Sequence, residues 1–198
     1  MGYDLKDIAD YYSKKSDSEL IQIATENACG LREGVLEIIE SEIQKRQLNP
    51  NLIAGAIAQN RRYSLDEITK LPTILQNLPC PLCRNKTAKL NATFMFTVKS
   101  FVLFSVFRKE SIIGCPNCLN KKNQEAINST LLLGWWGLPE GLLKTPLYIY
   151  YNIRAKRQNN QVQPTEALLN YTLENVGQIE TYKDDVEKLL KIIKFVKK

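Results

Sequence analysis

Cys80-Pro81-Leu82-Cys83 and Cys115-Pro116-Asn117-Cys118 are the two stretches of sequence that decide the fold of the middle of this chain. Each is a C-x-x-C pair with proline after its first cysteine, and a C-x-x-C turn places two sulfurs on one side of a tight loop. Two such pairs supply the four soft thiolate ligands of a tetrahedral zinc site. The sequence therefore predicts one structural Zn²⁺ bound by Cys80, Cys83, Cys115 and Cys118.

Two other interpretations of the cysteines are a redox-active C-x-x-C motif and structural disulfides. The matched prolines and the strand-rich segment between the pairs favour the metal site, because separate redox motifs would not require either feature. Four cysteine ligands leave no open coordination position for water. We therefore expect the zinc to be structural rather than catalytic.

The two cysteine motifs repeat beyond the cysteines themselves. Residues 80–86 and 115–121 both read C-P-x-C-x-N-K, which predicts a pseudo-two-fold site. Zinc knuckles commonly need a left-handed backbone just after the second cysteine, and asparagine is the best residue for it after glycine. We therefore expect Asn85 or Asn120 to adopt a positive φ.

The segment between the cysteine pairs shows the alternation of apolar residues that is typical of β-strands. At about 5–6 residues a strand, it can hold about three strands and form an enlarged zinc ribbon. One side of the pattern carries Phe94, Phe96, Val98, Val102, Phe104 and Val106, and the other carries Met95, Phe101, Leu103 and Phe107.

The first part of the chain, residues 1–78, is predicted to be an acidic bundle of short helices. It contains 9 Lys and Arg against 12 Asp and Glu, for a net charge of −3. Ser16-x-x-Glu19 and Ser64-x-x-Glu67 are capping boxes, which mark helix starts. Cys29 is left over from the paired motifs, and we expect a small, inert core residue there.

The segment after the ribbon is nearly all apolar from Leu131 to Pro139. A membrane span needs ~20 uninterrupted apolar residues, but Glu140 and Lys144 interrupt the apolar stretch of residues 130–151. Two half-length helices joined at Gly137-Leu138-Pro139 are predicted instead, and Glu140 and Lys144 are spaced to pair on the second.

This apolar hairpin, residues 127–157, has three interpretations. It can form core against the ribbon, lie in a membrane as a re-entrant or interfacial segment, or fill a groove on a partner protein. Aromatic and basic residues suit a membrane headgroup region. The candidate interaction surface consists of Trp135, Trp136, Tyr150, Arg154, Lys156 and Arg157.

Together these segments predict an α+β protein with four parts: the helical module 1–78, the zinc ribbon 79–126, the apolar hairpin 127–157 and a C-terminal helix pair 164–198. The pair should be separated near Gly177, and its last helix is amphipathic, with lysines such as Lys197 opposite an apolar face that includes Val196.

The net charge of +6 lies in the middle of the chain, with +6 over residues 79–130 and +3 over residues 131–163. Such a patch suits nucleic acid, anionic lipid or an acidic protein. Histidine is absent, which excludes Ser-His-Asp and Cys-His sites. The polar first residues lack the apolar core of a signal peptide. We expect a cytoplasmic protein, or one peripheral at the inner face of the membrane.

The chain resembles uncharacterised bacterial proteins that combine a short-helix N-terminal module, a four-cysteine zinc ribbon and a Gly-Trp-Trp-Gly-x-Pro segment. The resemblance rests on residues 16–20 with 31–48, on the two C-P-x-C pairs and on residues 133–139, and it spans most of residues 10–150. It implies an architecture and no reaction.

The function expected from these features is a non-enzymatic zinc-ribbon adaptor that presents its apolar hairpin to a partner protein or a membrane surface. No small-molecule substrate is predicted. The alternative is a nucleic-acid- or ribosome-associated zinc ribbon, in which basic residues contact phosphates. The residues for that role are Lys86, Lys89, Lys99, Arg108, Lys109, Lys121 and Lys122.

Overall fold

The structure, a computed structural model, describes residues 4–101 and 104–194. It combines helices with one two-stranded antiparallel sheet. The chain divides into two compact units: unit 1 is Met1–Ile68 with Thr172–Leu189, and unit 2 is Thr69–Tyr171 with Leu190–Lys198. Among the described helices, none is long and apolar enough to cross a bilayer.

The helices that precede the sheet follow the predicted pattern of short segments. They are α1 (Leu5–Ser13), α2 (Asp17–Glu26), α3 (Glu33–Lys45), α4 (Asn51–Asn60), α5 (Leu65–Lys70) and α6 (Thr73–Gln76). The core of unit 1 is formed by apolar residues of α2, α3 and α4, among them Leu20, Ile39, Ile43 and Leu52, all of them buried. These residues lie on the apolar faces that the helical periodicity requires.

Both predicted capping boxes are confirmed. At the start of α2 the backbone N–H of Ser16 donates to Glu19 Oε2 at 2.8 Å, and the N–H of Glu19 donates to Ser16 Oγ at 3.3 Å. Ser64 and Glu67 make the same reciprocal pair at α5. The side chains thus satisfy backbone donors that have no partner within the helix.

The helices that follow the sheet are α7 (Pro116–Leu133), α8 (Glu140–Gln158), α9 (Glu166–Glu174), α10 (Val176–Thr181) and α11 (Val186–Lys194). The predicted break near Gly177 is wrong, because Gly177 lies inside α10. A Cβ on Gly177 would collide with Gln59 of α4 and with the Thr25 carbonyl oxygen of α2, so the close approach of these helices explains the glycine. Val196 and Lys197 lie outside the described residues.

The expectation for Cys29 is also wrong, because its side chain is exposed. Helix α2 ends at Glu26, three residues earlier. Cys29 therefore lies in the turn that follows, next to Gly30, whose φ is +82°. A residue in this turn is not held against the core by a helix, which explains the exposure of its side chain.

The sheet consists of β1 (Asn91–Phe101) and β2 (Phe104–Gly114), antiparallel and in register from Asn91 opposite Gly114 to Phe101 opposite Phe104. The prediction of about three strands is therefore wrong, since the apolar alternation is divided between two long strands. Val102 and Leu103, which the prediction included, lie outside the described residues.

Side chains of α7 and α8 take the place that a third strand would have along β1. Asn123 Nδ2 donates to the Phe94 carbonyl at 3.1 Å, and the Val98 N–H donates to Thr130 Oγ1 at 3.2 Å. Between them, Asn152 bonds to both backbone groups of Phe96. The backbone groups on this edge of β1 thus have partners without another strand.

Candidate metal centre

The four paired cysteines lie together in unit 2. Their Sγ atoms are all within 4.8 Å of one another, and Cys83 Sγ lies 3.6 Å from Cys115 Sγ. A tetrahedral ion with metal–sulfur distances of ~2.3 Å would separate its ligands by about 3.8 Å, whereas a disulfide requires ~2.05 Å. The cluster therefore has the geometry of a four-thiolate metal site and can hold one ion, and its cysteines are not disulfide-bonded.

The first cysteine pair is held in a compact turn before β1. The N–H of Cys80 donates to the Asn85 carbonyl at 2.8 Å, and the N–H of Arg84 donates back to the Cys80 carbonyl at 2.7 Å. Arg84 has a φ of +61°, so the left-handed position is the one directly after Cys83. The prediction that Asn85 or Asn120 adopts it is wrong.

Asn85 has a different role in this turn. Its Oδ1 accepts from the Thr87 N–H at 2.7 Å and from the Thr87 hydroxyl at 2.8 Å. This is an Asx turn, in which an asparagine side chain bonds to the backbone two residues on. The asparagine thus shapes the exit of the knuckle while Arg84 carries the unfavourable dihedral.

The second cysteine pair forms the start of a helix. Cys115 is the N-cap of α7, Pro116 occupies its first turn, and the Leu119 N–H donates to the Cys115 carbonyl at 3.0 Å. Asn120 is consequently helical. The repeated sequence therefore adopts two different backbones, a turn with Arg84 at positive φ and the start of a helix, and the expected pseudo-two-fold symmetry is wrong.

The pKa of the Cys80 thiol is lower than that of an ordinary cysteine. Burial raises its pKa, but backbone N–H groups of Cys115, Cys83 and Leu82 together outweigh burial and lower the pKa to about 7. The Cys115 N–H lies 3.3 Å from the Cys80 sulfur. Hydrogen bonds to a thiolate stabilise its charged form, so Cys80 is prepared to bind a cation.

The pKa values of Cys115 and Cys118 are shifted in the opposite direction to that of Cys80. Burial raises the pKa of both thiols, and hydrogen bonding to Cys83 raises it further, although hydrogen bonds with Cys118 partly offset the rise at Cys115. Four thiols this close cannot all ionise unless a cation offsets their mutual repulsion. The electrostatics of the cluster therefore favour a bound divalent ion.

Gly114 allows the two halves of the site to approach. A Cβ at this residue would lie 3.2 Å from Leu82 Cδ1 and 3.4 Å from Leu119 Cδ2. Cys80 and Cys115 are buried, whereas Cys83 is exposed. One side of the cluster is thus packed against protein and the other faces solvent.

The residues of the predicted interaction surface lie in two places. Trp135 and Trp136 are exposed in the connection between α7 and α8. Tyr150, Arg154 and Arg157 are exposed along α8, whereas Lys156 is half-buried and donates to Gln124 Oε1 at 2.8 Å. The structure therefore places five of the six on the surface of unit 2.

Further exposed apolar residues extend this region, and core packing, one of the three interpretations of residues 127–157, is wrong for the leucines among them. We define the apolar surface as the exposed residues Phe101, Phe104, Leu131, Leu132, Leu133, Trp135, Trp136, Leu138, Leu142, Leu143 and Leu147. In the sequence, the nearly unbroken run of apolar residues from Leu131 to Pro139 already indicated this surface. The helices contact β1 through polar residues such as Asn123, Thr130 and Asn152. Aromatic residues of α8 also pack there, because the rings of Tyr148 and Tyr151 lie 5.6 and 5.1 Å from the Phe96 ring.

The tip of the sheet, where β1 ends and β2 begins, contacts the α7–α8 connection through small residues. The Ser100 hydroxyl donates to the Gly134 carbonyl at 2.7 Å, and a Cβ on Gly137 would collide with Ser105 Oγ. Phe101 and Phe104 are opposite each other at the tip, with ring centroids 5.0 Å apart. The apolar surface is therefore built from both elements.

The class defined by this fold and site is a mixed helical protein with a two-stranded antiparallel sheet and a four-cysteine cluster able to hold a metal ion. No protein-family model matches the sequence, and searches of curated proteins and of solved structures find no significant similarity.

Proposed function

We propose that this protein is a non-enzymatic zinc-ribbon adaptor, in which unit 2 presents the apolar surface to a partner protein or a membrane surface. The observation that carries the proposal is the arrangement of the two-stranded sheet formed by β1 and β2. The cysteine pairs flank its open end, where Asn91 is opposite Gly114, and the apolar surface surrounds its tip, where Phe101 is opposite Phe104.

The dimensions of the elements support this arrangement. Strands of 11 residues extend for about 35 Å at ~3.3 Å a residue. Helix α7 has 18 residues, or about 27 Å at 1.5 Å a residue, and it runs from Pro116, next to Cys115, to Leu133. A metal at the cysteines would hold the start of β1 and the start of α7 in place, and both of these elements end at the apolar surface.

Zinc is the proposed ion because four cysteine thiolates in a tetrahedron are its usual structural ligands. With all four positions filled by sulfur, the ion has no place for a substrate or an activated water. Zinc binding contributes ~10–16 kcal/mol to folding in small zinc domains. The ion would therefore stabilise the ribbon, and no reaction is assigned to it.

The zinc assignment is tested by the metal content of the purified protein. We expect one zinc per chain, lost in Cys83→Ser and retained in Cys29→Ser, because Cys29 lies outside the cluster. A wild-type protein that is folded and contains no bound zinc would contradict the proposal.

The adaptor role is tested by photocrosslinking in cells. A benzophenone amino acid replaces Trp136 in the apolar surface, and a matched protein carries it in place of Val162, which is exposed elsewhere in unit 2. Adducts with lipid or protein are expected at position 136 only. Equal labelling at both positions, or none at position 136, would count against the role.

A nucleic-acid-binding role is the second candidate, and exposed basic residues favour it. Lys86, Lys89 and Lys121 are exposed near the cysteines, and Lys109 Nζ lies 4.1 Å from the centroid of the half-buried Phe94 ring. Phosphate contacts by such residues would weaken steeply with salt. Retention on heparin and a shift of RNA or DNA mobility, both lost at high salt, would support this role over the adaptor.

A further inference from the structure

We infer that the partner of the apolar surface is an anionic phospholipid bilayer, into whose interfacial region the surface inserts while Arg154 and Arg157 contact lipid phosphates. This inference rests on the proposed adaptor function and makes its partner specific. It concerns insertion into one face of the bilayer, which is consistent with the absence of a spanning helix among the described ones.

The first argument is the degree of exposure. The exposed fraction is 77% for Leu138, 72% for Leu132, 70% for Leu143 and 67% for Trp136. All four belong to the end of α7, the start of α8 or their connection. Large apolar residues this exposed and this close together in the chain indicate an interaction site rather than ordinary solvent-facing surface.

The second argument is that polar groups in this region have partners within the chain. The indole Nε1 of Trp135 donates to the Leu131 carbonyl at 2.8 Å, and that of Trp136 donates to the Leu132 carbonyl at 3.2 Å. These carbonyls are in the last turn of α7, where helix acceptors lack backbone partners. Entry into lipid would therefore leave neither the indoles nor these carbonyls unsatisfied.

The third argument is that few charged residues lie at the apolar surface and that the one acidic residue at its border is paired. Between Leu131 and Leu143 the only ionisable residue is Glu140. Its carboxylate lies 3.8 Å from Lys144 Nζ, which confirms the predicted pair, and Lys144 also lies 4.0 Å from the centroid of the Phe107 ring. The acidic group at the border of the apolar surface is thus paired with a cation that a negatively charged membrane attracts.

The fourth argument is the stripe along α8. Leu143, Leu147, Tyr150, Arg154 and Arg157 are all exposed and are spaced by three or four residues, so they share one helical face. The stripe changes from leucine to arginine over seven residues, which is about 10 Å of helix. An interfacial segment enters a bilayer by about 5–10 Å, so leucines in the acyl region would place the arginines among the headgroups.

The charge of this stripe selects lipid over a general hydrophobic partner. Tyrosine between leucine and arginine follows the order of acyl chains, interface and phosphates in one leaflet. Both exposed cations at its end are arginines, which bind phosphate oxygens bidentately. An apolar groove of a protein would use the leucines but would not require this order.

The test is flotation of the zinc-loaded full chain with phosphatidylcholine vesicles, alone or containing phosphatidylglycerol. The apolar variant is Trp136→Ser with Leu143→Ser, and its matched control is Leu65→Ser with Val162→Ser, whose residues are 82% and 69% exposed outside the apolar surface. The charge variant is Arg154→Glu with Arg157→Glu, and its control is Lys89→Glu with Lys121→Glu. Zinc content and circular dichroism show that each variant is folded.

We expect binding to the anionic vesicles, a blue shift of tryptophan fluorescence, and a loss of at least about tenfold in binding for both test variants but not for their controls. Binding should fall as salt screens the phosphates. No binding to anionic vesicles, or binding unchanged in the apolar variant, would overturn the inference. A protein adduct at position 136 together with no vesicle binding would do the same while leaving the adaptor function standing.

Discussion

Asn152 on α8 is hydrogen-bonded to both backbone groups of Phe96 on β1. Its Oδ1 accepts from the Phe96 N–H at 3.1 Å, and its Nδ2 donates to the Phe96 carbonyl at 2.6 Å. The amide thus bonds as a neighbouring strand would. It also closes an edge that could otherwise pair with another chain.

Replacing Asn152 by alanine should destabilise the protein by about 2–4 kcal/mol, because two backbone groups of β1 lose their partner in a buried place. The matched control is Asn128→Ala, an exposed asparagine on α7, for which a change within about 0.5 kcal/mol is expected. Urea unfolding measures both, and size-exclusion chromatography should show self-association of the first variant. Equal stability of the two variants would refute the role of Asn152.

Replacing Gly137 by alanine should destabilise the protein by about 1–3 kcal/mol through overpacking. The new Cβ would collide with Ser105 Oγ and would lie 3.1 Å from the Ser100 Cβ. Removing the hydroxyl in a Gly137→Ala, Ser105→Ala double variant should recover part of the loss. A double-mutant cycle from thermal unfolding measures the coupling between the two sites, and strictly additive effects would show that they do not touch.

The helical module was predictable because its signals are local. Ser16 and Glu19 are three residues apart, so the capping box needs nothing from the rest of the chain. The cysteine cluster was predictable for a similar reason, since two short motifs name its ligands. Local chemistry thus determined the starts of α2 and α5 and the site residues.

The number of strands and the exposure of the leucines were not predictable in the same way. The third strand is replaced by Asn123, Thr130 and Asn152, which are polar residues inside helices and give no strand signal. Apolar runs alone do not show which side packs inward when polar side chains make the contact with the sheet. Both errors have the same cause, namely long-range hydrogen bonds that fix α7 and α8 on β1.

The left-handed residue of the first knuckle gives a prediction about Arg84, whose φ is +61°. Arg84→Gly should be as stable as the wild type or more stable by up to ~1 kcal/mol, since glycine adopts this region without strain. Arg84→Val should lose about 1–2 kcal/mol, because a β-branched residue fits it poorly. Thermal unfolding of the zinc-loaded proteins measures both, and a less stable glycine variant would contradict the expectation.

The Ser16–Glu19 capping box gives a prediction about pH. The Ser16 backbone N–H, the Lys15 ammonium and the Ser16 hydroxyl lower the pKa of Glu19 to about 2. Because this pKa is below that of the unfolded chain, the stabilisation is present above about pH 4.3 and is lost as the pH falls towards 2. Glu19→Gln should therefore lose less stability than the wild type between pH 5 and 2.

Thermal unfolding followed at several pH values measures this difference. The control is Glu37→Gln, which removes the same charge from an exposed position on α3. Its pH profile should follow that of the wild type. If Glu19→Gln also follows the wild-type profile, the carboxylate of the capping box does not contribute to acid unfolding.

Removing the metal should unfold the ribbon while unit 1 keeps its helices, because the cysteines lie in unit 2 and the core of unit 1 is formed by its own residues. A thiol reagent should label mainly the exposed Cys29 in the zinc-loaded protein and all 5 cysteines after a chelator is added. Hydrogen exchange should then increase over β1, β2 and the first turns of α7, and much less over α2 and α3. Because cysteine thiols must lose their protons to bind zinc, acidification should have the same effect as the chelator. A chelated protein that retains slow exchange in β1 and β2 would mean that the hydrogen bonds of Asn123, Thr130 and Asn152 hold the sheet without an ion.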